Sequence, residues 1–425
     1  MRIFGLDPNE VRRAVAPVTP SDYITAPRLA GTDPNSEAAE RFARAVWTGI
    51  AEPGDGTAGS VISALGASVS LQALIEKWSP ERIVRAANTE NTTGRWPDAP
   101  VEEIQKAVAR WLPRLDSSDA LAALRLAVHH RATLLVPGDR EWPERLNDLA
   151  SHAPIALWVR GDPLRLRESE RSISLVGARA ATGYGEHVTV EAASALVGRG
   201  FAIISGAAYG IDGAAHRAAL AAEGTTVAFL AGGVDRPYPS GHDALLARIV
   251  ETGVVLSEIP CGGSPTKWRF LQRNRLIAAL SQATVVLEAG WRSGSLNTAG
   301  HAAALGRPLG AVPGAVTSAA SAGCHRLIRE YGATCVTNAE EMAELVEDTD
   351  REGELSGWAG GGAQHSADEL RVLDALSTRT GRTIDEIAKR SGMPVETVQS
   401  VLGVLQLEGT ADERQFGWVY VTQRF

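Results

Sequence analysis

Short, almost continuously apolar runs alternate with helix-length segments between about residues 172 and 345. Such runs are typical of strands covered by helices on both faces of a parallel sheet. The alternation therefore predicts an α/β fold, an extended Rossmann-like core with a doubly wound, mostly parallel sheet. The predicted strands are Ser172–Val176, Ala202–Ile204, Thr226–Leu230, Val254–Leu256, Thr284–Leu287, Leu309–Val312 and Thr334–Val336.

The segment before this alternation has a helical pattern. Apolar positions recur every three to four residues from about 41 to 113, which predicts a small helical domain of the SAM or helix-hairpin-helix kind. Its Gly-rich break at Pro53–Gly56 could present backbone N–H groups to a phosphate, although plain helix packing is favoured. Residues 134–136 and 156–159 predict an added strand layer at the start of a core over 114–345.

The two ends of the chain are predicted to contain an irregular arm, a linker and a separate small domain. Prolines mixed with small and acidic residues predict a mostly irregular arm over residues 1–40. Residues 346–366 are Gly-rich and acidic, which predicts a linker, and residues 367–425 have the pattern of a winged helix. The segment at 394–408, which would be the recognition helix of that domain, contains no Lys or Arg and two glutamates. Because phosphates repel an acidic helix, we expect this domain to be an interaction module rather than a DNA reader.

Composition narrows the possible functions. The 425 residues include 42 Lys and Arg against 50 Asp and Glu, and this net charge of −8 excludes DNA binding by bulk positive charge. Any nucleic-acid site must then be a local cluster of cations. The 3 cysteines form no C-x-x-C pair, and no apolar run approaches the roughly 18 residues of a membrane span. A reducing, cytoplasmic location without membrane association is expected.

Three turns that follow predicted strands are rich in small residues: Val176–Arg179, Ser205–Asp212 and Glu288–Ser295. Because the carboxyl ends of parallel strands meet at one edge of a sheet, these turns predict a phosphate cradle of backbone N–H groups. The G-x-G-x-x-G fingerprint does not follow the first strand, and the phosphate-binding motif G-x-x-x-x-G-K-[ST] is missing. We therefore expect no dinucleotide cofactor and no nucleotide triphosphatase activity. The histidines show no metal-ligand spacing, so no metal is expected either.

A basic and aromatic segment precedes the strand at 284–287. Its members are Lys267, Trp268, Arg269, Phe270, Arg273 and Arg275. Cations hold a sugar-phosphate backbone and aromatic faces stack on unpaired bases, so this composition predicts a single-strand binding site. With four phosphate contacts, a plot of log affinity against log salt concentration would have a slope of about −3.

Support for catalysis is weaker. Glu258 and Glu288 end predicted strands, where a general acid and base can lie, but a carboxylate there more often accepts hydrogen bonds from helix N–H groups. Asp212 and His216 share one helix face, which does not by itself make a dyad, and Ser205 has no nucleophile motif around it. A non-catalytic protein is therefore expected.

The motifs along residues 172–333 resemble, in order, those of the DNA-processing protein A family (DprA, also called Smf). They are Val176–Arg179, Ser205–Asp212, Ala215-His216, Asp235–Pro239, Ser257–Pro260, Arg273–Ser281, Glu288-Ala289, Ser293–Ala299 and Ala311–Gly314. The flanking segments fit that family's helical N-terminal and winged-helix C-terminal domains. The chain departs from the family pattern at Ala178, Leu271 and His325, where the family usually has Ser, Pro and Asn, and we assign His325 no role.

The resemblance implies a recombination mediator that binds and protects incoming single-stranded DNA. It also implies a homodimer that loads a RecA-type recombinase during DNA uptake and natural transformation. By motif, Arg179 would be the leading phosphate contact, Lys267 would hold a phosphate and Phe270 a base. The other implied binding residues are Gly177, Ser205, Gly206, Arg273, Asn274, Arg275, Ser293, Gly294 and Ser295.

Two other functions stay open from the sequence. The predicted Rossmann-like core also resembles nucleotide-processing phosphoribohydrolases of the lysine-decarboxylase-like group. Those enzymes use a Pro-Gly-Gly-x-Gly-Thr-x-x-Glu loop, and the nearest stretch here, Ser293–Ala299, lacks its acidic pattern. The remaining possibility is a protein adaptor that acts through the winged helix.

Overall fold

A nine-stranded sheet forms the centre of residues 1–350. Its strands are β1 Thr133–Leu135, β2 Leu157–Gly161, β3 Ser172–Gly177, β4 Ala202–Ser205, β5 Thr226–Phe229, β6 Val254–Ser257, β7 Ala283–Glu288, β8 Leu309–Ala311 and β9 Thr334–Cys335. They lie in the order β1-β2-β6-β5-β4-β3-β7-β8-β9. The strands from β3 to β9 pair in parallel, whereas β1 pairs antiparallel with β2 and β2 with β6. The doubly wound sheet is therefore confirmed, and the two earlier apolar runs extend it at one edge.

The computed structural model describes residues 3–20, 34–90 and 101–346 of this part of the chain. Towards the C-terminus it describes residues 372–373, 375–377, 380–391, 393–407, 410–414 and 417–421. The chain divides into two compact units, Met1–Asp350 and Arg351–Phe425, and each is described by itself. Apart from residue 346, the predicted linker lies outside the described residues.

Helices surround the sheet in the first unit. Those before β1 are α1 Pro8–Val15, α2 Pro34–Ile50, α3 Gly56–Leu65, α4 Ala67–Ile75, α5 Pro80–Glu90, α6 Val101–Trp111 and α7 Ser117–His129. Those after β3 are α8 Gly183–Gly198, α9 Ile211–Ala221, α10 Asp243–Thr252, α11 Lys267–Leu280, α12 Ser295–Ala304 and α13 Ala322–Glu330. None of the described helices is by itself long and apolar enough to cross a membrane, and α3 with α4 meets that test only across a 107° bend.

Both faces of the sheet are buried, as the continuous apolar runs predict. On β3, Ile173 and Leu175 join a buried cluster with residues of α8 and α9, such as Ala193. Val176, next along the strand, joins a different cluster with Ile277 of α11. Because successive side chains of a strand point to opposite faces, the two clusters lie on opposite sides of the sheet.

The prediction of an irregular N-terminal arm is wrong where residues 1–40 are described. Helix α1 begins after a capping box, in which Asp7 Oδ1 accepts from the Glu10 N–H at 2.9 Å and Glu10 Oε2 accepts from the Asp7 N–H at 2.8 Å. Proline is well tolerated in a first helical turn, and both α1 and α2 begin with one, Pro8 and Pro34. The prolines therefore mark helix starts, and residues 21–33 lie outside the described part.

The helical segment shares one core with the sheet. A single buried cluster contains Phe42 and Trp47 of α2, Trp111 of α6, and Leu230 and Val255 from the sheet region. Trp47 and Trp111 meet edge to face, with ring centres 5.0 Å apart. The predicted helical domain is therefore packed into the same compact unit as the sheet.

The Gly-rich break between α2 and α3 is packed against the sheet unit. His152 Nδ1 donates to the Gly54 carbonyl at 2.8 Å. Gly54 has φ +74°, and a Cβ there would lie 2.8 Å from Arg275 Nε. Just before it, Glu52 accepts from Arg269 Nε at 3.0 Å and Nη2 at 3.1 Å. These contacts favour helix packing over phosphate binding as the role of this turn.

The second unit has the elements of a winged helix. Helices α14 Ile384–Ser391 and α15 Val395–Leu407 precede a hairpin of β10 Ala411–Arg414 and β11 Gly417–Tyr420. Its buried core includes Ile387, Leu402 and Trp418. The predicted winged helix is confirmed.

Candidate functional site

A cleft of about 660 Å³ opens at the carboxyl ends of β3, β4 and β7, where the strand order reverses. In open parallel sheets this is the position at which ligands bind. The turn after β3 supplies residues 177–180, and the turn after β7 supplies residues 290–295. Helix α11 forms a wall with Phe270, Arg273 and Asn274. Three separate sequence segments therefore meet at one site.

Arg179 and Phe270 lie together at one end of the cleft. The guanidinium carbon of the exposed Arg179 lies 5.0 Å from the centre of the Phe270 ring, close enough for a cation–π interaction. The centre of the Tyr238 ring lies 5.4 Å from that of Phe270. A second cavity of about 440 Å³ shares Arg179 and Phe270 and adds Tyr238 and Lys267. Cations and aromatic faces thus line two cavities that have a common wall.

Tyr238 lines the second cavity and is not among the candidate residues predicted from the sequence. Its ring is 48% exposed although it contacts Phe270 from a different segment of the chain. The Asp235–Pro239 motif contains it, and that motif was the available signal. The contact itself depends on the packing of the β5–α10 connection against α11, which no local pattern reveals.

The predicted glycines permit close packing behind the cleft. A Cβ on Gly177 would lie 2.5 Å from Ile211 Cγ1, and a Cβ on Gly206 would lie 1.8 Å from Arg273 Nη1. Arg273 is therefore seated directly over Gly206, where its Nη1 donates to the Phe229 carbonyl at 2.6 Å. Any larger residue at 206 would displace the guanidinium.

Arg273 and Asp212 place opposite charges in the lining of the cleft. Burial lowers the pKa of Arg273 to about 10, although the Asp212 carboxylate opposes this. Burial likewise raises the pKa of Asp212, against the charge of Arg273 and the N–H groups of Ala208 and Gly206. Those two N–H groups donate to Asp212 Oδ2 at 3.4 and 3.2 Å, so the carboxylate fixes the turn after β4. Arg273 is consequently a compensated cation rather than a free one.

Two other predicted phosphate contacts are not in the cleft. Arg275 is buried and its Nη2 donates to Glu258 Oε1 at 2.6 Å, while Arg269 is paired with Glu52. The physical reason is the helix itself, because residues two apart on α11 point in different directions. Of the four cations in the basic segment, Lys267 remains exposed at the second cavity.

The polar residues of the predicted phosphate cradle make different contacts. Ser205 is buried and its Oγ donates to the Leu175 carbonyl at 2.7 Å, so it does not face the cleft. Asn274 Nδ2 donates to the Gly294 carbonyl at 3.3 Å and joins α11 to the turn before α12. The Oγ atoms of Ser293 and Ser295 lie 2.8 Å apart at that turn. The structure thus brings Asn274 and Ser293–Ser295 to the cleft and leaves Ser205 behind it.

Glu288 accepts hydrogen bonds from the start of a helix. Its oxygens accept from the Thr182 N–H at 2.8 Å and from Thr182 Oγ1 at 2.7 Å. Thr182 is the N-cap of α8, so this carboxylate has the supporting role that its position after a strand favoured. Glu258 pairs with Arg275 instead. Neither carboxylate lines the cleft.

His216 is fully buried and contacts a strand of the sheet. Its Nδ1 lies 2.7 Å from Thr226 Oγ1 on β5. Burial, with the charges of His242 and nearby arginines, lowers the pKa of His216 from 6.5 to about 3. The unfolded chain therefore binds a proton between these pH values that the folded chain does not, and stability must fall as the pH is lowered through this window.

We expect the pH-dependent contribution of His216 to stability to be measurable by replacing His216 with Gln. Between about pH 7 and pH 5, the unfolding free energy of the unsubstituted protein should fall by about 2 kcal/mol more than that of His216→Gln. Urea unfolding at both pH values measures the difference. Parallel pH dependence in the two proteins would contradict a neutral, buried His216.

Comparisons with known proteins agree with this architecture. The sequence profile described as DNA recombination-mediator protein A matches residues 133–347, and that of the DprA winged helix domain matches residues 360–414. The putative DNA processing protein DprA of Mycobacterium tuberculosis is 48% identical over 310 residues, which cover 69% of this chain and 78% of that protein. Protein Smf of Escherichia coli is 35% identical over 308 residues, covering 70% and 79%.

A solved structure has the same fold over most of the chain. The X-ray structure of DNA processing protein A from Streptococcus pneumoniae superposes with a TM-score of 0.55 at 26% identity. The superposition covers 71% of this chain and 95% of that one. In sequence, the two profile matches include the residues of the sheet, those of the cleft and most of the winged helix.

Proposed function

This chain belongs to the DNA recombination-mediator protein A (DprA/Smf) family, and we propose that it binds single-stranded DNA in the cleft at the strand-order reversal. The observation that carries the proposal is the contact of the exposed Arg179 guanidinium with Phe270, and of Phe270 with Tyr238, across two cavities with a common wall. Single-strand binding needs this combination of cations for phosphates and ring faces for unstacked bases.

In this proposal each group has a separate task. Arg179 and Lys267 hold phosphates, Phe270 and Tyr238 offer faces to bases, and the turn at Ser293–Ser295 donates hydrogen bonds from its hydroxyl and backbone groups. Binding requires Arg179 to exchange its contact with the Phe270 ring for a phosphate, which frees that face for a base. A duplex keeps its base faces stacked and cannot use the rings, so single strands are preferred.

We further propose that the protein acts as a non-catalytic mediator. Among the described residues that line the cleft, Asp212 supplies the carboxylate, and that group is already engaged by two backbone N–H groups and faces Arg273. A homodimer in the cytoplasm would protect single strands that enter during DNA uptake and would load a RecA-type recombinase on them. Recombinase filament formation on strands precoated with single-strand binding protein, with and without this protein, measures that loading.

The salt dependence of binding tests which cations contact phosphates. The exposed cations that line the two cavities are Arg179, Arg292 and Lys267. Three phosphate contacts give a salt slope of about −2, or a loss in affinity of roughly 20-fold between 50 and 200 mM salt. Fluorescence anisotropy with labelled oligothymidine, at both salt concentrations and with unlabelled duplex as competitor, measures the slope and the preference. A slope near −3 would restore the buried arginines as phosphate contacts, and absent binding would reject the proposed function.

A further inference from the structure

The cleft has an aromatic residue at a position that none of the site assignments above includes. Trp291, in the turn after β7, lines the cleft and is 53% exposed. An indole ring that remains half exposed inside a concave site offers a face to a ligand, whereas buried rings in this protein, such as Trp47, only fill the core. Trp291 therefore needs an explanation beyond packing.

The Trp291 ring is held by a cation from another element. The guanidinium carbon of Arg326, on α13, lies 5.0 Å from the ring centre. Arg326 is fixed in turn, because its Nε donates to Glu330 Oε2 at 2.8 Å and its Nη2 donates to Tyr331 Oη at 3.3 Å. A ring that is anchored in this way loses little conformational freedom when a base stacks on it.

This arrangement has the same form as the one at the other end of the site. There, Arg179 from one segment lies 5.0 Å from Phe270 of another. Both Phe270 and Trp291 line the same cleft, and Arg292, next to Trp291, is an exposed cation that also lines it. An aromatic ring and an exposed cation are thus present at both places.

We propose that Trp291 is a second base-stacking platform, so that a single strand bound at Phe270 continues through the cleft to Trp291. The inference rests on the proposed single-strand binding and adds the extent of the site to it. Arg326 is a positioning residue that orients the ring, and Arg292 contacts a phosphate near it. The consequence is a dependence on DNA length, because only strands long enough to reach both rings gain from Trp291.

The test is a length series of labelled oligothymidines, from about 4 to 12 nucleotides, titrated against three variants. Trp291→Ala should lower the affinity for the long oligonucleotides by roughly 5- to 30-fold and leave the shortest ones unchanged. Phe270→Ala should weaken binding at every length. Trp291→Phe retains a stacking face and should restore most of the affinity.

Trp268→Ala is the matched control. Trp268 is 57% exposed and lies in the first turn of the helix that carries Phe270, but it lines neither cavity, so its removal should leave the length dependence unchanged. Photo-crosslinking of oligonucleotides that carry a single 5-iodouracil provides a positive readout, with the adduct expected on Trp291 at one defined strand position. Because both tryptophans are exposed, thermal melting should be the same in both alanine variants.

The possible outcomes separate the two proposals. If Arg179→Ala abolishes binding while Trp291→Ala binds every length like the unsubstituted protein, the platform is rejected and the proposed function stands. If the unsubstituted protein binds no oligothymidine, the proposed function itself fails. If Trp291→Ala leaves DNA affinity intact and changes the oligomeric state in sedimentation, Trp291 belongs to a protein contact and the platform is overturned. An equal loss at all lengths would also contradict the second platform.

Discussion

Replacing Arg179 with Ala is expected to weaken single-strand binding by about 10- to 100-fold. A charge-assisted hydrogen bond to a phosphate contributes about 1.5–3 kcal/mol, and Arg179 is the cation that lines both cavities. Because the side chain is exposed, the fold should be unaffected. Anisotropy titration with oligothymidine at constant salt measures the loss.

The matched control for this variant is Arg248→Ala. Arg248 is exposed on α10 and lines neither cavity, so its loss removes the same charge elsewhere on the surface. Arg179→Lys should be intermediate, because an ammonium keeps the charge but not the planar, forked geometry. If Arg179→Ala and Arg248→Ala weaken binding equally, the effect is one of net charge and the cleft is not the binding site.

Replacing Arg275 with Met is expected to lower the unfolding free energy by about 3–5 kcal/mol, the usual effect of leaving one member of a buried ion pair without its partner. The Glu258 carboxylate would then be buried alone, and its pKa, already raised by burial against the charge of Arg275, would rise further. Urea unfolding measures the loss. Single-strand affinity per folded molecule should stay unchanged, because Arg275 does not line the cleft.

The double variant Arg275→Met with Glu258→Leu serves as the control. Removing both charges leaves no uncompensated group in the core, so much of the lost stability should return. If Arg275→Met instead has normal stability but reduced DNA affinity, the structural role is contradicted. Arg275 would then contact DNA directly, as the sequence motif implies. The pair of measurements therefore decides between a structural and a binding role for this arginine.

Much of the fold could be predicted because its signals are local. Each parallel strand is a short apolar run such as Ala202–Ser205, and burial on both faces requires that pattern. The candidate cleft followed from the same reasoning, since small residues after successive strands must meet at one edge. Helix α1 is not apparent from the pattern, because its capping box at Asp7 and Glu10 precedes a segment rich in proline, a residue that interrupts helix interiors.

The composition of the site could be predicted only in part. The basic segment reaches the cleft, but the sequence does not show which of its cations are compensated. The partner of Arg269 is Glu52, 217 residues away along the chain, and the contacts of Tyr238 and Trp291 also join distant segments. Local spacing specifies which residues share a helix, whereas charge compensation depends on the tertiary packing around it.

The core shared by the N-terminal helices and the sheet limits how the gene can be shortened. A fragment that begins at residue 114 would lose Phe42, Trp47 and Trp111, and the sheet side of that core, including Leu230, would meet water. It would also lose Glu52 and leave Arg269 without its carboxylate on the helix that carries Lys267. Such a fragment should aggregate on expression, so truncation cannot isolate the cleft unless the exposed apolar face is first redesigned.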